Sequence, residues 1–99
     1  MKTEDYEKSL FKRLKDQDYA VGYLTDVLSD ESPEAFLIAL RDVIEAREEN
    51  ISSLSERSGI TRQGLYQALS ETGNPRLATI KDVLSSLGLQ FTIARKESA

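Results

Sequence analysis

"ISSLSERSGITRQGLYQALSETGNPR", residues 51–76, is the stretch on which the fold of this chain turns. It reads as two short helices around a glycine. The first runs to Ser58, opened either by Asn50 or by Ser53 with Glu56 three residues on as a capping box, and Leu54 is its apolar contact. Gly59 stops it, because so tight a turn needs a residue that accepts positive φ. Thr61 can cap a second helix through about Ser70, with Leu65, Ala68 and Leu69 marking its inward face. Steps of ~100° per residue then turn Gln63, Gln67 and Ser70 outward and leave Arg62 and Tyr66 on the flanks.

Two short helices joined in this way form a helix-turn-helix unit, whose second helix enters the major groove of DNA. The open face suits that task. Gln matches adenine and Arg matches guanine by bidentate hydrogen bonds, while Tyr and Ser reach phosphates or thymine methyls. The first helical turn also offers free N–H groups to a phosphate. Behind the helix, "ETGNPR" is a connector or, on the functional reading, a phosphate clamp of Thr72, the Gly73 and Asn74 amides and Arg76. The expected DNA-binding residues are therefore Thr61, Arg62, Gln63, Tyr66, Gln67, Ser70, Asn74 and Arg76. Gly64 is the odd member, since glycine inside a helix costs roughly 1 kcal/mol relative to alanine. Either it permits close approach of a neighbour, or the first turn simply tolerates it.

Outward from this unit, residues 17–28 carry Ala20, Leu24, Val27 and Leu28 at helical spacing, with Asp16 as N-cap. Ser32 caps the next helix, Pro33 suits its first position and Glu34 complements its dipole. Phe36, Leu40, Val43, Ile44 and Arg47 continue that helix to about residue 48. The aromatic residues Tyr19, Tyr23 and Phe36 read as core. Thr79 is positioned to cap a last helix bearing Ile80, Val83, Leu84 and Leu87, ended by Gly88. Leu89, Phe91 and Ile93 then alternate with Gln90, Thr92 and Ala94, which predicts a strand over about 89–94. A lone strand needs a partner, and a second copy across a twofold axis is the simplest. Residues 1–15 form an N-terminal arm, in which Leu10, Phe11 and Leu14 make at most one helical turn. The expectation is an all-α, five-helix domain over residues 16–99, with a C-terminal strand pairing in a homodimer.

Composition narrows the chemistry. At 99 residues the chain is one domain, burying somewhat over ~60% of its unfolded surface, so dimerisation would help it. With no cysteine and no histidine, it lacks the thiolate and imidazole that most metal sites and neutral-pH general bases use. No nucleophile–base pair, phosphate-binding glycine motif or metal cluster can be assembled, so neither enzyme activity, cofactor nor metal is expected. No apolar run spans a membrane and the polar start is no signal peptide, which points to the cytoplasm. The net charge of −4 argues against nucleic acid only until its distribution is seen. Residues 16–34 carry Asp16, Asp18, Asp26, Asp30, Glu31 and Glu34 and no base, whereas residues 51–70 and 71–99 each come to +1. A contact surface follows local charge, not the total. The acids either serve helix starts or face a basic protein partner.

The segments "LKDQDYAVGYLTDVLSDESPEAFLIALRDVIEAR" and "ISSLSERSGITRQGLYQALSETGNPRLATIKDVLSSLGLQFTIA" resemble the addiction-module antidote proteins. These are small bacterial antitoxins related to the HigA type, with a lambda-repressor/Cro-like, Xre-type helix-turn-helix. The resemblance covers roughly residues 14–94, and its most specific parts are "SGITRQGLYQALSETGNP" and "VLSSLGLQFTI". Ser55 and Ser58 depart from the pattern, standing where alanine and a more apolar residue are common. The resemblance implies a RelE-superfamily toxin, a ribosome-dependent mRNA interferase, as protein partner. It also implies repression of the chain's own operon through a pseudo-palindromic double-stranded DNA operator. Two alternatives stay open: an interaction adaptor that no longer reads DNA, and a stand-alone phage-type repressor without a toxin.

Overall fold

The structure, a computed structural model, describes residues 4–47 and 51–97. Helix starts follow local capping. The Asp16 carboxylate accepts the Asp18 N–H at 2.9 Å and opens α2 (Gln17–Asp30). Ser32 accepts the Ala35 N–H at 3.1 Å and, with Pro33 in the first turn, opens α3 (Pro33–Ala46). Each such cap satisfies an orphan donor, for ~1 kcal/mol. Before them lies α1 (Glu4–Arg13), and after them α4 (Ile51–Ser58), α5 (Arg62–Ala68) and α6 (Leu77–Ser86). Asn50, the alternative opener of α4, lies outside the described residues.

The frame is α2 against α3, with α1 laid on α3 and α4 held between α5 and α6. One core runs through all of it: Leu14, Leu40, Ile44, Val43, Leu54, Leu65, Leu69 and Val83 are fully buried. Each such aliphatic side chain contributes ~1.5–3 kcal/mol on burial. Polar ties close the frame at one end. Arg47, the C-cap of α3, donates through Nε to the Leu14 carbonyl at 3.1 Å and through Nη1 to the Leu87 carbonyl at 3.2 Å. Gln17 Nε2 reaches the same Leu87 carbonyl at 3.0 Å. These carbonyls sit at helix ends with no helical donor left for them. Between α2 and α3, the Tyr23 hydroxyl donates to Asp42 at 3.3 Å. Burial first, and the Asp42 charge second, push the Tyr23 phenol well above its ordinary range.

The structure corrects the expected architecture in two places. There are six helices among the described residues, not five, because the segment taken as an arm contains α1. Its apolar residues are too few for a clear period, yet Leu10 and Leu14 are buried against the frame. The overlooked signal was charge: Glu4, Asp5 and Glu7 occupy its first turn and Lys12 and Arg13 its last, both favourable to the helix dipole. The second correction is at the other end. No strand forms among the described residues, and 89–94 belongs to no helix and no ladder. Leu89 and Phe91 do turn inward, as the alternation implies, and the Phe91 ring lies 6.1 Å from that of Phe36. Ile93, the third apolar member, is wholly exposed. Alternation records which side chains face the core; a strand needs in addition a backbone partner, and here the segment packs on helices.

Smaller expectations also shift. Residue Arg76, not Thr79, stands at the N-cap of α6, and it makes no side-chain cap. Tyr19 is exposed, Tyr23 half-buried and only Phe36 buried. At the other end of α6, the Leu89 N–H bonds the Leu84 carbonyl at 2.8 Å and the Gly88 N–H bonds that of Ser85 at 3.0 Å. With Gly88 at φ 77°, this is a Schellman closure, and it aims the chain that carries Phe91 back across the frame.

Candidate nucleic-acid interface

The α4–α5 pair is built around three leucines. Leu54 from α4 and Leu65 and Leu69 from α5 and its C-cap are buried, with Ile60 and Tyr66 packed partly against them. Between the helices Gly59 adopts φ 72°, with open space around its Cα. The turn owes much of its definition to two serines. The Ser55 hydroxyl donates to the Ile60 carbonyl at 2.5 Å, while Ser58 Oγ accepts the Ile60 N–H at 3.3 Å. Ser55 also offers its own carbonyl to Gly59 N–H at 3.1 Å. Both polar groups of Ile60 are thus satisfied by hydroxyls two and five residues earlier in the chain. The departures from the usual alanine and apolar residue are therefore compensated, with hydrogen bonds standing where packing was expected. Their signal was present in the sequence, as a pair of serines just before the glycine.

Thr61 caps α5 by accepting the Gly64 N–H at 3.0 Å, which takes one of the free amides of its first turn. Gly64 has an internal reason as well. A Cβ there would lie 3.0 Å from both Ile60 Cγ2 and Thr61 Oγ1. The close approach is made by the chain's own turn, which folds over the first turn of α5.

Of the eight expected contact residues, Thr61, Arg62, Gln63 and Gln67 are exposed on α5 or its cap. Tyr66 is half-buried, its ring sharing in the core. Ser70 lies just past the helix, where its hydroxyl donates to the Gln67 carbonyl at 2.7 Å and sits 3.5 Å from that of Thr72. Asn74 and Arg76 are exposed in the following loop. The structure thus gathers Arg62, Gln63 and Gln67 on one open face, and it ties Ser70 and Tyr66 more closely to the fold.

The loop holds what sequence reasoning undervalued. Gly73 is no mere breaker: a Cβ on it would overlap the Ala68 carbonyl and come 2.9 Å from that of Gln67. Its N–H closes on the Ser70 carbonyl at 3.0 Å. Only glycine lets the loop fold this tightly under the end of α5, and that contact sets where Asn74 and Arg76 leave the helix. Arg57, Arg62 and Arg76 are exposed cations of this half, with Glu56 and Glu71 as exposed acids. Such a face can make a few phosphate contacts and present amide and guanidinium groups outward.

Fold and site together describe a small helical protein with one short two-helix unit that exposes a polar face. Comparison with known proteins agrees with an antidote. A family model described as "Probable addiction module antidote protein" matches residues 4–95. A Haemophilus influenzae protein, named only "Uncharacterized protein", is 43% identical over 77 residues, spanning 78% of this chain and 77% of its own length. No solved structure matches. The chain belongs to the addiction module antidote family, and an antidote implies a toxin as partner. The match begins at the first residue of α1, so the segment expected to be an arm lies within the family's own pattern. No helix among the described residues is long and apolar enough to cross a membrane.

Proposed function

We propose that this protein is a DNA-binding antitoxin that neutralises a RelE-superfamily toxin and, as a homodimer, represses its own operon. On this reading α4 and α5 are a helix-turn-helix of the Xre type, and the protein works in the cytoplasm by binding, without catalysis. One observation carries the DNA reading: Leu65 and Leu69 are buried while Arg62, Gln63 and Gln67 all face outward. These three polar residues of α5 take no part in the core, and their types suit base edges. Arg62, Gln63 and Gln67 read bases, and Thr61, Tyr66, Ser70, Asn74 and Arg76 mainly hold or position the phosphate backbone. A dimer sets two such helices about one turn of DNA, ~34 Å, apart on a pseudo-palindrome.

The test is a gel-shift titration of the gene's own upstream region. If Arg57 and Arg76 of each protomer touch phosphates, log affinity falls against log salt with a slope on the order of −4. The double variant R62A/Q67A loses two bidentate contacts, each ~1–3 kcal/mol, so its affinity drops about 30-fold or more. Unchanged affinity in that variant removes α5 as the reading helix. The adaptor reading draws on the net charge of −4; it prevails if no upstream fragment binds selectively even at low salt while the toxin still co-purifies.

A further inference from the structure

We propose that the trough between the C-terminal half of α2, the start of α3 and the loop at 73–75 seats a cationic segment of the toxin, anchored by one bulky apolar side chain. This inference rests on the antitoxin reading above and assigns the surface that meets the toxin. The trough has a volume of about 360 Å³, and Leu28, Phe36, Pro75 and Phe91 form much of its apolar lining, with Glu31 and Glu34 also on its walls. A second trough of about 460 Å³ shares Leu28, Phe36 and Phe91 and continues along α2 past Thr25 to Val21. Leu28 and Val21 are close to half exposed, although they lie two turns apart on a helix whose other apolar face is already in the core. A contiguous apolar strip open to water on a small domain marks a binding surface.

Charge selects the occupant. The two glutamates stand at the end of the stretch 16–34, where six acids and no base are all exposed. Two copies of the chain meeting through this face would set those acids against one another. The basic tail residues Arg95 and Lys96 line the adjoining trough in their own chain and are not among the residues lining this one. A protein that acts on mRNA, by contrast, carries basic surface to meet phosphates, and a basic surface is drawn to this one. Apolar anchor and flanking cations fit the trough's two chemistries together.

The test uses the full chain and the toxin encoded beside it, titrated calorimetrically. Two variants address the two chemistries separately: E31Q/E34Q removes charge and L28K spoils the apolar wall at an already exposed position. Each is expected to raise the toxin Kd about tenfold or more, with operator binding unchanged and the melting temperature lowered by no more than a few degrees, the share of Glu34 at the start of α3. The wild-type complex is expected to weaken as salt rises. Toxin affinity equal to wild type in both variants overturns the proposal. So does loss of self-association, measured by light scattering, with toxin affinity intact, because the trough then belongs to a second copy. If the wild-type chain binds no toxin at all, the antitoxin reading itself has failed, an outcome visible before any variant is made.

Discussion

The two turns that bracket α5 both depend on a glycine, for opposite physical reasons. At Gly59 the backbone lies at φ 72° and the space around it is empty, so the demand is conformational. At Gly73 the backbone is not in the left-handed region, but a Cβ would overlap the Ala68 carbonyl, so the demand is steric. A left-handed turn is set by the torsions of one residue, and its cost is nearly the same wherever it occurs. A close approach is set by two segments meeting, and its cost depends on how far either can yield. The first turn aims α5 relative to α4; the second holds the loop against the end of α5.

The comparison breaks most visibly at Gly73. Replacement by alanine forces the loop off the end of α5, and a loss of ~2–4 kcal/mol is expected in denaturant unfolding, as for other overpacked sites. Alanine at Gly73 with unchanged stability would mean that the loop is free to move. At Gly59 the same replacement costs ~1–2 kcal/mol, the penalty for a side chain in the left-handed region. Asparagine should recover part of that loss at Gly59 and none at Gly73, which separates torsion from overlap in one pair of measurements. Equal recovery at both sites would merge the two mechanisms.

Ser55→Ala leaves the Ile60 carbonyl without its hydroxyl donor, and the half-buried site should lose ~0.5–1.5 kcal/mol. A neutral result there would show that the turn is held by Gly59 and the three leucines alone. Smallest is Gly64→Ala. It gains up to ~1 kcal/mol in helix propensity, while Ile60 and the Thr61 cap must give by a few tenths of an ångström. These nearly cancel, so a change within about 0.5 kcal/mol is expected and operator affinity should stay close to wild type. A large loss of affinity at unchanged stability would return Gly64 to a point of contact with DNA.

The same division between local and distant causes runs through the whole chain. Asp16, Ser32 and Thr61 were legible as caps because an N-cap hydrogen bond spans two or three residues. The inward faces of α3 and α5 were legible because Phe36, Leu40, Val43 and Ile44, and then Leu65 and Leu69, repeat with the helix. Most of the exposed face of α5 followed as the complement of that stripe. The serine bonds across the 59–61 turn are also local, and were missed only because Ser55 and Ser58 were weighed as packing residues.

Other features had no local signature. Residues 89–94 alternate as a strand does, and their Leu89 and Phe91 do face inward, yet no ladder forms because the surface they meet is Phe36 and its helical neighbours. Residues 4–13 carry little periodicity, and their helix gains its place from Leu10 and Leu14 reaching the frame. Gly73 reads in sequence like any loop glycine, and only the fold brings the Ala68 carbonyl against it. By itself, then, the sequence determined where helices begin and which sides are apolar, since those depend on neighbours a few residues away. Which segments touch, and at what distance, was decided by the tertiary structure, because packing joins atoms that no sequence period connects.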